Sequence, residues 1–179
     1  MLEDVVNFNE VPIDDAEFTE KCRIELNQKG VVTLHNFLKY ETVEELIKEA
    51  KTRSRLAYFT DSTHNVYLTP KNENLGPEHV FNRQLNSSKG CITTDQIPEN
   101  SKLKELYFSD IFKNFICRVV EEEALYEYAD SLSSINVHYA SEGQELNWHF
   151  DNSKFAITLL LQAPDSGGNF EYVSNLRNA

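Results

Sequence analysis

A chain of 179 residues holds one ordinary domain, and 40% hydrophobic with 26% charged residues excludes a disordered one. Eleven Phe and eight Tyr supply enough apolar area for a sizeable core. The net charge of −12 and pI near 4.8 argue against nucleic acid or an anionic membrane surface as partner.

The three cysteines, Cys22, Cys91 and Cys117, are widely spaced and form no CxxC pair, which favours a reducing compartment over a disulfide framework. The first ten residues are acidic and carry no apolar run of signal-peptide length. No stretch approaches the roughly 20 apolar residues of a membrane span. The expectation is a cytoplasmic protein. The one basic cluster, Lys51, Arg53 and Arg55, falls at a predicted helix end, where cations suit the helix dipole.

In chain order, residues 14–29 read as a helix. Asp14 or Asp15 caps it, Phe18, Cys22 and Leu26 recur every four residues, and Gly30 sits where a terminating glycine belongs. Residues 31–34 are rich in β-branched side chains and predict a short strand. A second helix is expected to open at Thr42, which stands at capping-box spacing from Glu45. Its apolar stripe is Val43, Leu46, Ile47 and Ala50.

Residues 54–100 scatter their apolar positions among turn formers, with turn signals at 75–77 and 88–90; they read as a functional loop or as short strands. Helical spacing returns at 101–108 and 110–123. There Phe112, Phe115, Ile116, Val119 and Val120 make a broad stripe suited to packing on a sheet.

From residue 133 the period becomes two. Residues 134–140, 145–151, 155–162 and 169–173 read as strands divided by turns at 141–143, 152–153 and 164–168. The run 155–161 is almost continuously apolar, as for a strand covered on both faces. Helices followed by strands give an α+β domain: a helical and loop front over 1–132, then the strands of a sandwich or jelly roll over 133–179.

On a strand at 145–151, His149 and Asp151 share one face, while Leu146, Trp148 and Phe150 share the other. An imidazole and a carboxylate two residues apart can hold one metal. They are two of the three ligands of a 2-His-1-carboxylate triad, although Zn(II) accepts the same donors. Alone the tripeptide is weak, because a hydrogen-bonded His and Asp on a solvated strand face look the same in sequence.

The context is more specific. Residues 147–162, the turn at Gly167-Gly168 and the strand after it resemble the iron(II)/2-oxoglutarate-dependent dioxygenase superfamily. The resemblance is closest to its amino-acid hydroxylase and halogenase branch, and next to phytanoyl-CoA-dioxygenase-like proteins. It covers 134–175 well and 16–53 loosely. It implies helices packed on a double-stranded β-helix (jelly roll), Fe(II) held by His149 and Asp151, and 2-oxoglutarate as co-substrate. Molecular oxygen and a small-molecule substrate such as an amino acid would be the remaining partners. Halogenating members of the branch carry a small residue in place of the carboxylate; with Asp151 in that position, hydroxylation is favoured over halogenation. Asn136, His138 and Trp148 become pocket or support residues; His138 is also a stand-in for the third ligand but more readily a hydrogen-bonded structural histidine, and Trp148, facing away from the metal, is more readily core.

The departure is equally plain. The family places a second His ligand and an Arg or Lys for 2-oxoglutarate on later strands, yet after Asp151 this sequence has no His and only Lys154 and Arg177 as cations. Four strands are also about half of the eight in a jelly roll. The expectation is therefore an oxygenase domain lacking its C-terminal part, inactive and poorly stable by itself. The alternative is a non-catalytic jelly-roll or cupin-like protein that binds a metal or ligand. His35, His64 and His79 lack partners at metal spacing and read as incidental. Gly167-Gly168 reads as a turn needing positive φ rather than a phosphate loop.

Overall fold

The computed structural model describes residues 1–130, 132–174 and 176. Among them are four α-helices and a three-stranded antiparallel sheet, so the class is α+β. The helices are α1 (Ala16–Lys29), α2 (Tyr40–Arg53), α3 (Lys102–Tyr107) and α4 (Asp110–Val119). The strands are β1 (Tyr58–His64), β2 (Leu85–Ile92) and β3 (Val137–Tyr139), in spatial order β1-β2-β3. The chain divides into two compact units: residues 1–52, 93–135 and 161–179 form one, and residues 53–92 and 136–160 the other.

The first unit is helical. α1 begins where the Asp15 carboxylate accepts the Phe18 amide at 2.7 Å, and it ends at Gly30, whose φ of 76° is the left-handed conformation of a C-terminal cap. Cys22 is buried on its inner face. α4 is capped by Ser109 and buries Phe115 and Val119. Its stripe packs on α1 and on Phe37 rather than on a sheet, with Phe18–Phe115 ring centroids 6.3 Å apart and Phe37–Phe112 5.8 Å apart. The stripe was legible; its partner was not, because an apolar helix face fits a helix as well as a sheet.

Two sequence expectations change here. Residues 31–34 form no strand. The pairing falls instead on 37–39, where Val6 bridges Leu38, Asn7 N–H donates to the Phe37 carbonyl at 2.9 Å and Lys39 N–H donates to that of Val5 at 3.0 Å. β-branched content makes a strand only where a partner backbone is in reach. α2 starts at Tyr40, two residues before the expected cap, so Thr42 lies inside the helix. Its buried hydroxyl donates to the Asp4 carbonyl at 3.1 Å and ties α2 to the N-terminal segment.

The second unit resolves the ambiguity of residues 54–100 in favour of short strands. β1 and β2 pair antiparallel from Tyr58↔Cys91 to His64↔Leu85, joined by the long connection 65–84. The expected turn at 88–90 lies inside β2. Gly90 faces Phe59 across the ladder, and a Cβ there would meet the Phe59 ring at 2.6 Å. The glycine marks a place where an aromatic ring covers the backbone, not a bend.

Of the four expected C-terminal strands, β3 realises the first in shortened form, and a single bridge, Ser87↔Leu146, is what stands of the second. Residues 155–162 and 169–173 carry no ladder. A strand exists through its partner's hydrogen bonds, and among the described residues those two segments have none. The jelly roll expected for 133–179 is thus not formed among the described residues. The Gly167-Gly168 turn does have positive φ, 71° and 62°. Arg177, one of the two late cations, lies outside the described residues.

Candidate functional site

The site is assembled at one end of the second unit's sheet. After β3 the chain turns at 141–144, where Gln144 N–H donates to the Ser141 carbonyl at 3.0 Å. It then rejoins the same edge of β2. Ser88 N–H donates to the Glu145 carbonyl at 2.8 Å, and Glu145 N–H reaches Ser88 Oγ at 3.3 Å. Beyond the Ser87↔Leu146 bridge the segment leaves β2 and passes the end of β1, where Phe150 N–H donates to the Val66 carbonyl at 2.8 Å.

This path brings His149 and Asp151 together. His149 Nε2 lies 3.4 Å from Asp151 Oδ1, with both side chains partly open to solvent. His149 Nδ1 is 2.7 Å from the Asn147 carbonyl. A carbonyl oxygen only accepts, so Nδ1 carries the hydrogen, and Nε2 is the nitrogen presented beside the carboxylate. Two ligand atoms each about 2.1 Å from one metal stand roughly 3.0–3.4 Å apart for octahedral to tetrahedral angles. The donor set and its 3.4 Å separation therefore fit a shared metal ion. Among the described residues no group of three His, Cys, Asp or Glu is placed to hold one.

The structure adds a residue that sequence spacing passed over. His64, the last residue of β1, packs its ring edge-on against His149, with centroids 5.7 Å apart and planes at 83°. Its Nδ1 lies 3.0 Å from the Asn65 carbonyl. Nothing in the sequence ties residue 64 to residue 149, because only the β1 register and the return of the chain along β2 bring them together.

The other residues singled out from the sequence fall elsewhere. His138 lies in β3 opposite Cys91, whereas His64 lies opposite Leu85. Six residues of β2, about 20 Å at ~3.3 Å per residue, separate those two levels. Asn136 stands beside His138's end of the sheet and accepts a 3.6 Å contact from Cys91 Sγ. Trp148 adjoins His149 in the chain, is half exposed, and donates its backbone N–H to Asn147 Oδ1 at 3.0 Å. His138 faces solvent along the edge, yet its ring is partly desolvated against the strand; that and the Lys89 ammonium push its pKa below the ordinary imidazole value. His79 accepts the Phe81 amide at 3.2 Å within the connection, and His35 lies in an exposed turn.

Two buried asparagines build the connection 65–84. Asn65 Oδ1 accepts the Tyr67 and Thr69 amides at 3.0 and 3.2 Å, and its Nδ2 donates to the Thr69 carbonyl. Asn82 Nδ2 donates to the carbonyls of Asn72, Leu75 and Gly76, while its Oδ1 accepts the Asn72 amide. So held, the connection presents Tyr67 between two rings: Phe81 at 5.2 Å and Phe150 at 5.6 Å, both nearly parallel to it.

No helix among the described residues is long and apolar enough to cross a membrane. A family model described as Halogenase D matches residues 13–179. No curated protein and no solved structure shows a significant match to the chain.

Proposed function

The chain belongs to the halogenase D family, and from that premise we propose that it is an iron(II)- and 2-oxoglutarate-dependent oxygenase acting on a small molecule such as an amino acid. The observation that carries the reading is the His149–Asp151 pair, two donors of the right chemistry 3.4 Å apart in a chain whose family is enzymatic. His149 Nε2 and an Asp151 carboxylate oxygen would hold the iron. When bound, iron with 2-oxoglutarate supplies the oxidation of an unactivated C–H bond.

The residues of this chain do the positioning. The hydrogen bond from His149 Nδ1 to the Asn147 carbonyl fixes the tautomer that leaves Nε2 as a donor. The His64 ring, edge-on to His149, limits rotation of the imidazole. Asp151 would fill with a carboxylate the position that halogenating members of the resembled branch leave to a small residue, which favours oxygen transfer over halide transfer.

Incubation of the protein isolated from its native source with Fe(II), 2-oxoglutarate, oxygen, chloride and a panel of amino acids tests the reading. Succinate formation and a product one oxygen heavier are expected, and Asp151→Ala should abolish the hydroxylated product. A chlorinated product from the unaltered protein would replace hydroxylation with halogenation. Metal binding without succinate from any member of the panel would favour a non-catalytic binding protein.

A further inference from the structure

The proposed ligands sit on a segment that forms almost no ladder, so something other than a strand must hold them. His149 and Asp151 flank Phe150, and Phe150 is where this segment meets the connection 65–84. Its N–H donates to the Val66 carbonyl and its ring lies on Tyr67. Tyr67 is in turn backed by Phe81 and placed by Asn65, which is 1% exposed and takes the Tyr67 amide on its side-chain oxygen. Phe150 lies between His149 and Asp151 in the chain, so anchoring its N–H and its ring restrains the backbone that carries both side chains.

We propose that Tyr67 is a positioning residue: the Phe81–Tyr67–Phe150 stack sets the geometry of the His149–Asp151 pair and so its affinity for a divalent cation. This rests on the metal reading above, but the stack makes a claim of its own about the order of residues 147–151. The aromatic ring is what matters, since the two rings stack with centroids 5.6 Å apart and planes at 27°. A phenylalanine at residue 67 keeps it and an alanine removes it.

Trp148 is the single tryptophan and adjoins His149, so its fluorescence reports on the segment without any metal. The experiment compares the full chain with its Tyr67→Ala, Tyr67→Phe and His149→Ala variants. Each is titrated with Co(II) by visible absorption, and Trp148 is quenched with acrylamide in metal-free protein. Tyr67→Ala is expected to weaken Co(II) binding about 10–100-fold, the usual effect of losing a residue that orients a ligand, and to raise Trp148 quenching. Tyr67→Phe should restore both.

Wild-type Co(II) affinity and wild-type quenching in Tyr67→Ala would overturn the proposal. So would weakened binding that Tyr67→Phe fails to restore. If His149→Ala binds Co(II) as the wild type does, the metal reading falls, and the quenching comparison alone decides whether the stack orders the segment. Should Tyr67→Ala not fold, Phe150→Leu keeps an apolar side chain, removes the stack from the other partner, and answers the same question.

Discussion

At the scale of single residues, the side chains of the second unit take over tasks that backbone ladders perform elsewhere. Asn65 and Asn82, both nearly inaccessible, satisfy backbone groups of a connection that has neither helix nor strand. Leaving such groups buried and unpaired would cost about 1–3 kcal/mol each. His138 illustrates the electrical side of partial desolvation. Its pKa lies below the ordinary imidazole value of 6.5, first because its ring is desolvated and second because Lys89 is near. Folding therefore disfavours the protonated ring, and the unfolded chain binds the proton more readily. Stability is full above the unfolded value and declines as pH falls below about 6.5 towards the folded value. Asp4, Glu20, Glu105 and Glu121, whose values are lowered by hydrogen-bonded cations or, for Glu121, first by Asn27, lose their contribution in a separate and more acidic window. Urea midpoints measured between neutral and mildly acidic pH should fall in that upper window for the wild type and fall less for His138→Gln. Identical profiles for the two proteins would remove His138 as the cause.

At the scale of elements, helices were read from the sequence far better than strands, and capping explains why. A helix carries its own hydrogen bonds, so local signals suffice: Asp15 and Gly30 bound α1 within a residue or two of the expected limits. Asp15→Ala should accordingly destabilise the protein by about 1 kcal/mol, seen as a lower urea midpoint with unchanged slope, while Asp15→Ser costs much less. A strand borrows half its bonds, so the same local patterns misled. The β-branched run 31–34 found no partner among the described residues, 88–90 became strand because β1 pairs with it, and 145–151 kept one bridge. The candidate site follows the same rule. The proximity of His149 and Asp151 was legible because two residues of one segment need no tertiary information. The neighbours Tyr67 and His64 were not, because they arrive through the β1–β2 register and a connection ordered by buried amides.

At the scale of the whole molecule, the distribution of apolar surface is the dominant fact. Leu46, Ile92, Val5 and Val6 are fully buried, whereas the apolar run that reads as a doubly covered strand is half-buried at Phe155, Leu159 and Leu161 and open to solvent between them. Ile157 is 56% and Leu160 72% exposed, and Phe170, Tyr172 and Val173 are exposed beyond them. Apolar side chains on a segment that carries no ladder among the described residues offer both halves of a strand-to-strand contact, hydrophobic area and backbone donors and acceptors. The acidic net charge of −12 opposes association by repulsion, but salt at physiological strength screens charges beyond about 8 Å. Side chains brought together by strand pairing are closer than that, so the apolar contact should prevail. Sedimentation velocity over a concentration series should show reversible self-association that strengthens with added salt, because screening weakens only the repulsive part. Replacing Ile157 and Leu160 together with Lys should suppress it. Lysine at these exposed positions buries no charge, and it interrupts the apolar run that a second strand would cover. A chain that stays monomeric across the series, with the same sedimentation coefficient before and after the double substitution, would show that residues 155–161 are not an adhesive surface.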